Sequence, residues 1–151
     1  MILKLHHPLL DVVRPIYCPT MQQLQIGLAC QFAGHERHDG LLPIKPIDEY
    51  FCADDFAGII CALPDASNRV QTMTRGTMTA YCVYGSPHRG DAVYVRILPT
   101  GNRTIIGSLD ALPDISNGFI PVVANVHIPT AQWASGADKN GIAEIQLGLD
   151  T

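Results

Sequence analysis

Ala80-Tyr81-Cys82-Val83-Tyr84, the turn formers Gly85-Ser86-Pro87 and Gly90-Asp91, and then Ala92-Val93-Tyr94-Val95-Arg96-Ile97 make up the stretch on which the fold turns. Val93, Val95 and Ile97 fall on one face and Tyr94 and Arg96 on the other, the period of two that marks a half-buried strand. The spacing predicts twisted hairpins, with Tyr94 and Arg96 on the outer face. Further on, Asn140-Gly141 supplies the left-handed dihedrals of a tight turn. The strand after it places Ala143, Ile145, Leu147 and Leu149 inward and Glu144 and Gln146 outward.

Working outward, the rest of the chain is a series of short segments cut by turn residues, which favours an all-β fold. Residues 22–32 alternate Leu24, Ile26, Leu28 and Cys30 against Gln23, Gln25, Gly27 and Ala29, a strand pattern. Residues 35–40 read as a polar turn, 57–63 as a buried apolar strand and 70–79 as a polar strand of alternating Thr and Met. Residues 48–56 read as a helical turn or a loop. Residues 1–19 carry Pro8, Pro15 and Pro19, which bar a central strand or a long helix and predict an extended arm. Residues 20–151 are then the β-rich domain. An echo links Ala62-Leu63-Pro64-Asp65-Ala66-Ser67-Asn68 to Ala111-Leu112-Pro113-Asp114-Ile115-Ser116-Asn117, and each copy reads as a surface turn after an apolar segment. A duplicated unit and convergent turn chemistry both account for it.

At 151 residues one core suffices, without a disulfide or metal. Charged residues make up 16% of the chain, against about 25% in typical soluble domains, so something other than charge covers part of the surface. A net charge of −4 with no basic stripe argues against nucleic acid as the main partner. No run approaches the roughly 20 apolar residues of a membrane helix, and no membrane partner is expected. His6, His7, Pro8, Asp11, Arg14 and Pro15 interrupt any signal-peptide core. Cys18, Cys30, Cys52, Cys61 and Cys82 are odd in number and lack a Cys-x-x-Cys pair, which predicts buried free thiols in a reducing compartment.

Candidate chemistry is sparse. His35-Glu36-Arg37-His38-Asp39 concentrates metal ligands, but the spacing is not that of the helical zinc motif and the segment is bracketed by Gly34 and Gly40. Asp48, Glu49, Asp54 and Asp55 are interleaved with Phe51, Cys52 and Phe56 and lack calcium-loop spacing. Cys61 and Cys82 lie in apolar strands, where nothing lowers a thiol pKa. Ser86 lacks a nucleophile elbow. Arg89-Gly90-Asp91 serves as a hairpin entry, and Asn102-Arg103-Thr104 follows a turn at 99–102. Catalytic residues and cofactors are therefore expected to be none.

The order Ile26-Gly27-Leu28-Ala29, Phe56-Ala57-Gly58-Ile59, Arg75-Gly76-Thr77, Gly90-Asp91-Ala92-Val93-Tyr94-Val95, Ala131-Gln132-Trp133 and Gly141-Ile142-Ala143-Glu144-Ile145-Gln146-Leu147 resembles the capsid cement, or head decoration, proteins of tailed bacteriophages. The proline-rich first segment and the number of cysteines depart from that pattern. The resemblance implies a small β-rich protein on the outer face of a capsid shell. Its expected partners are the major capsid protein and other copies of itself as a dimer or trimer, with assembly in the host cytoplasm. The fold expected is a single-domain all-β sandwich or jelly-roll-like barrel with an N-terminal arm. The arm is too apolar to lie in water, so Leu3, Leu5, Leu9, Leu10, Val13 and Ile16 are candidate contacts with a neighbouring subunit. Trp133 either fills the domain's own core, the favoured reading, or reaches a partner. Two other readings remain at this stage: a cupin-like barrel binding a metal or ligand through His35, His38, His88 and His127, and a tail or head-completion protein.

Overall fold

In the computed structural model, the residues described are 5–6, 12–17, 25–34, 36–37, 40–62 and 69–150, with only the backbone given for 5–6 and 12–17. The strands are β1 (Leu5–His6), β2 (Val12–Tyr17), β3 (Ala29–Phe32), β4 (Ile44–Pro46), β5 (Phe56–Ala62), β6 (Arg69–Tyr84), β7 (Ala92–Arg96), β8 (Leu109–Asp110), β9 (Asn125–Trp133) and β10 (Ile142–Leu147). The one helical piece among the described residues is a 3-10 turn at Ala53–Asp55, inside the segment expected to hold one.

Strand β6 organises the molecule. Its second half pairs with β10 along Gly76 to Tyr81 and with β8 at Cys82 and Tyr84, and β9 and β7 complete the circuit β6-β10-β9-β7-β8-β6. Closure leaves this barrel no free edge. Its first half belongs to a second sheet in which β2 and β5 flank β6 and β3 and β4 follow. The strand passes between the two sheets at Arg75-Gly76. Gly76 has φ +109, a conformation that side-chain-bearing residues rarely adopt.

Period-two alternation accounts for the barrel core. Met78, Ala80 and Cys82 from β6, Val93 and Val95 from β7, and Ala143, Ile145 and Leu147 from β10 all point inward and are buried. Leu149, also expected inward, is half-buried. The same cluster runs beneath the second sheet through Ala29, Ile59 and Met73. On that sheet's other face Cys30, Ile44, Ala57, Ile60 and Val70 form a separate apolar cluster. Of the two all-β architectures expected from the sequence, the structure realises the barrel.

Several local expectations are corrected. Segments 80–84 and 92–97 are not hairpin partners, because β8 lies between β6 and β7 and runs parallel to β6. The strand expected over 22–32 begins at Ala29, after a turn in which Gly27 has φ +92; residues 22–24 lie outside the described set. Arg96, expected on an outer face, is fully buried. Cysteine burial is only partly as expected. Cys30 and Cys82 are buried, Cys61 is half-buried and Cys52 is exposed, while Cys18 lies outside the described residues. Pro15 does lie in a strand, but β2 flanks β6 off the main sheet path, an edge position that tolerates a missing N–H.

Candidate functional site

The polar centre of the molecule is a buried ion network. Arg96 Nη2 lies 2.8 Å from Asp110 Oδ2 and 2.9 Å from Asp114 Oδ2, and Arg96 Nη1 donates to Leu98 O at 3.1 Å. Arg103 reaches Asp114 at 3.2 Å while its guanidinium sits 4.0 Å over the Tyr84 ring, a cation–π contact. Asn125 Nδ2 donates to Asp110 Oδ2 and Leu112 O, and Asn125 Oδ1 accepts from the Asp114 N–H. Two guanidinium groups and two carboxylates leave the network neutral, as burial requires. Burial pushes the Asp110 carboxyl above its ordinary value, against the opposing pull of Asn125 and Arg96. Burial also works upward on Asp114, but the hydrogen bonds from Arg96 and Arg103 outweigh it and hold that carboxyl low.

The network clamps the base of a projection formed by residues 112–123. Ala124 N–H donates to Asp114 O, Ser116 N–H to Val122 O, and Val122 N–H to Ser116 Oγ, each at 2.8 to 2.9 Å. Ile115 and Val123 add an isolated antiparallel bridge. Beyond this ladder the chain bends over Gly118 to Ile120, and the tip stands in solvent. Phe119 is 103% exposed and Ile120 75%, and Leu112, Ile115, Val122 and Val123 are each about half exposed. From 111 to 124 the single charged residue is Asp114, and it is consumed by the network. The surface presented is therefore apolar, uncharged and held at its root. The surface turn expected at 111–117 is corrected in part, since Asp114 points inward. The first copy of the echo, beyond Ala62, lies outside the described residues.

A groove of about 580 Å³ lies elsewhere, lined by Leu28, Ile47, Ile97, Ile105 and Ile106 with Asp48 and Glu49 also contributing. The segment at 48–55 gathers no cation site, and no group of three or more His, Cys, Asp or Glu is placed to hold a metal among the described residues. His88 is exposed beside Asp91 in the turn after β6, and His127 is exposed on β9 against Tyr94. His35 and His38 lie outside the described residues. Cys82, in the barrel wall, has its pKa raised to about 11 by burial and by the Asp110 charge, the opposite of nucleophile activation.

Of the interface candidates, Leu3, Leu9 and Leu10 lie outside the described residues, and for Leu5, Val13 and Ile16 the backbone alone is given, paired to β6 of the same chain. Trp133 is corrected as an interface candidate. It is fully buried in the barrel core and donates Nε1–H to Asp110 O at 3.2 Å. The projection leaves no signal in the sequence, because Phe119-Ile120-Pro121-Val122-Val123 has the composition of a buried segment. The signal for the network was a charged residue inside each of two otherwise apolar runs, Arg96 and Asp110.

The fold is that of a closed β-barrel which, among the described residues, presents an apolar projection on an ion-paired root. Residues 53–148 match the phage structural cement protein family (E217 gp24/Pam3 gp6), and the chain belongs to that family. The match spans β5 to β10 and so includes every strand of the barrel. Membership gives the protein a structural role in a phage capsid. A chain in a solved structure described as the capsid of Myoviridae phage XM1 shares the fold. It has a TM-score of 0.64 at 12% identity, over 95% of this chain and 86% of that one. No curated protein matches the sequence.

Proposed function

We propose that the protein binds the outer surface of an assembled icosahedral shell, bridges neighbouring coat subunits and stabilises the shell. The observation that carries this reading is the family match across the whole barrel. The action is thermodynamic rather than catalytic. A subunit that binds the assembled shell and not its separated parts adds its binding free energy to the shell, and repetition over many sites multiplies the effect. A barrel closed on itself, with its core filled by its own strands, suits a protein that folds first and docks afterwards.

Copies of the protein meeting as dimers or trimers on the shell belong to the same proposal. So does contact between the arm residues Leu3, Leu5, Leu9, Leu10, Val13 and Ile16 and a neighbouring subunit. Adding purified protein to shells assembled from coat protein alone tests the reading. Saturable binding to the outer face and a higher shell melting temperature are expected; shells that melt unchanged at saturating protein refute it. Deleting residues 2–10, which removes the β1 pairing with β6 but spares β2, should weaken shell binding while the domain stays folded.

A further inference from the structure

We propose that the projection at 112–123 is the docking element, and that its tip, Phe119-Ile120-Pro121, enters an uncharged apolar recess on the coat protein. This rests on the capsid reading above and names the surface that carries it. Three observations converge on that occupant. The tip is convex and nearly fully exposed, so it fits a concave partner surface. It carries no charge, so a charged recess would lose hydration and gain nothing in return. Its root is fixed by the Arg96–Asp114 and Arg103–Asp114 ion pairs and by the 115–123 bridge, so little conformational freedom remains to be lost on docking.

A second copy of the chain is the poorer occupant. The exposed apolar side chains here are confined to one loop, whereas a stable free dimer buries roughly 800 Å² per partner. On a shell the same loop is one contact among several, and each copy is held by the lattice as well.

The test uses the full-length chain, its Phe119→Ser/Ile120→Ser variant and a Tyr50→Ser control, since Tyr50 is 83% exposed on the opposite half of the sequence. Binding is measured on shells assembled from coat protein alone, together with thermal melts and the sedimentation of each free protein. The double variant should melt like the parent and bind shells at least tenfold more weakly, as loss of a hot-spot aromatic does. The control should bind as the parent does. Parent-like affinity of the double variant overturns the docking assignment and leaves the capsid reading intact. Failure of the parent itself to bind overturns both. Self-association of the free parent that the double variant abolishes makes a second copy the occupant and overturns the assignment to the coat. If the double variant melts early, Phe119→Ala and Ile120→Ser singly decide by the same criteria.

Discussion

Replacing Arg96 with Met removes the cation from a site where both it and Asp110 are fully buried. Asp114 keeps Arg103 at 3.2 Å, so the stranded charge is that of Asp110. One Asp110 oxygen, Oδ1, has no hydrogen-bond partner, and Oδ2 is left with Asn125 alone. Breaking a buried pair by removing one partner costs about 3–5 kcal/mol, whereas an exposed pair is worth about 0–1. The buried value applies, because neither side chain touches solvent. For a chain of this length that loss lowers the melting temperature by roughly 6–20 °C. Urea unfolding should show a lower midpoint at unchanged slope.

The loss in that variant should also depend on pH in a defined direction. Asp110 titrates above its ordinary 3.8 already, and without Arg96 it is pushed further up. A raised carboxyl pKa means that the folded state holds the proton more tightly than the unfolded one. Arg96→Met is therefore least harmful below pH 3.8, and its penalty grows as pH rises through the folded pKa. The double variant Arg96→Met/Asp110→Leu, which removes both charges, should recover most of the stability. A loss under about 1 kcal/mol with a flat pH profile refutes the buried-charge argument. A double variant as unstable as the single one shows that packing, not charge, sets the cost.

Other expected outcomes follow from single sites. Trp133→Ala empties the largest fully buried side chain and removes its Nε1–H bond to Asp110 O, so urea denaturation should register a loss of about 3–5 kcal/mol. At Gly58, with φ +135, an added Cβ lies 2.4 Å from Met73 O and 2.6 Å from Thr72 Cγ2, so β5 and β6 must part. Gly58→Ala should then lower the melting temperature by more than an alanine placed at Gly90, where nothing lies within 4 Å. The Asp114 carboxyl is held low, so its contribution is present above the ordinary 3.8 and lost as pH falls through the folded value. Asp114→Asn should flatten that acid limb in a pH series of melts, and an unchanged limb assigns it to other carboxylates.

Strand content was legible because alternation is a local property. Ala143, Ile145 and Leu147 announce an inward face, and Asp138 with Gly141 at φ +80 closes the turn that Asn140-Gly141 predicts. The 57–63 segment, read as a buried strand, is β5. The family resemblance rested on these same local pieces and is confirmed over 53–148.

Alternation assigns residues to two faces but does not say what covers each face. Arg96 sits opposite Val93 and Val95 on β7, where an open sheet gives it to water. In the barrel Asp110 of β8, Asp114 of the segment after it and Asn125 of β9 gather around it, and the outward position becomes interior. Pairing over long sequence separation was likewise invisible. Nothing local tells β6 to take β8 in parallel at Cys82 or β10 at Ala80, yet those two seams close the barrel and bury Trp133. Conversely, Phe119 and Ile120 are apolar yet stand in solvent, because no strand among the described residues pairs with the tip of their loop. The sequence by itself determined the β class, the inward faces of β7 and of residues 143–147, and the Asn140-Gly141 turn, all set by neighbours within a few residues. Which faces met, which charges were buried and which apolar loop was left uncovered depended on closure in three dimensions, where the free energy of burial is decided by residues far apart in the chain.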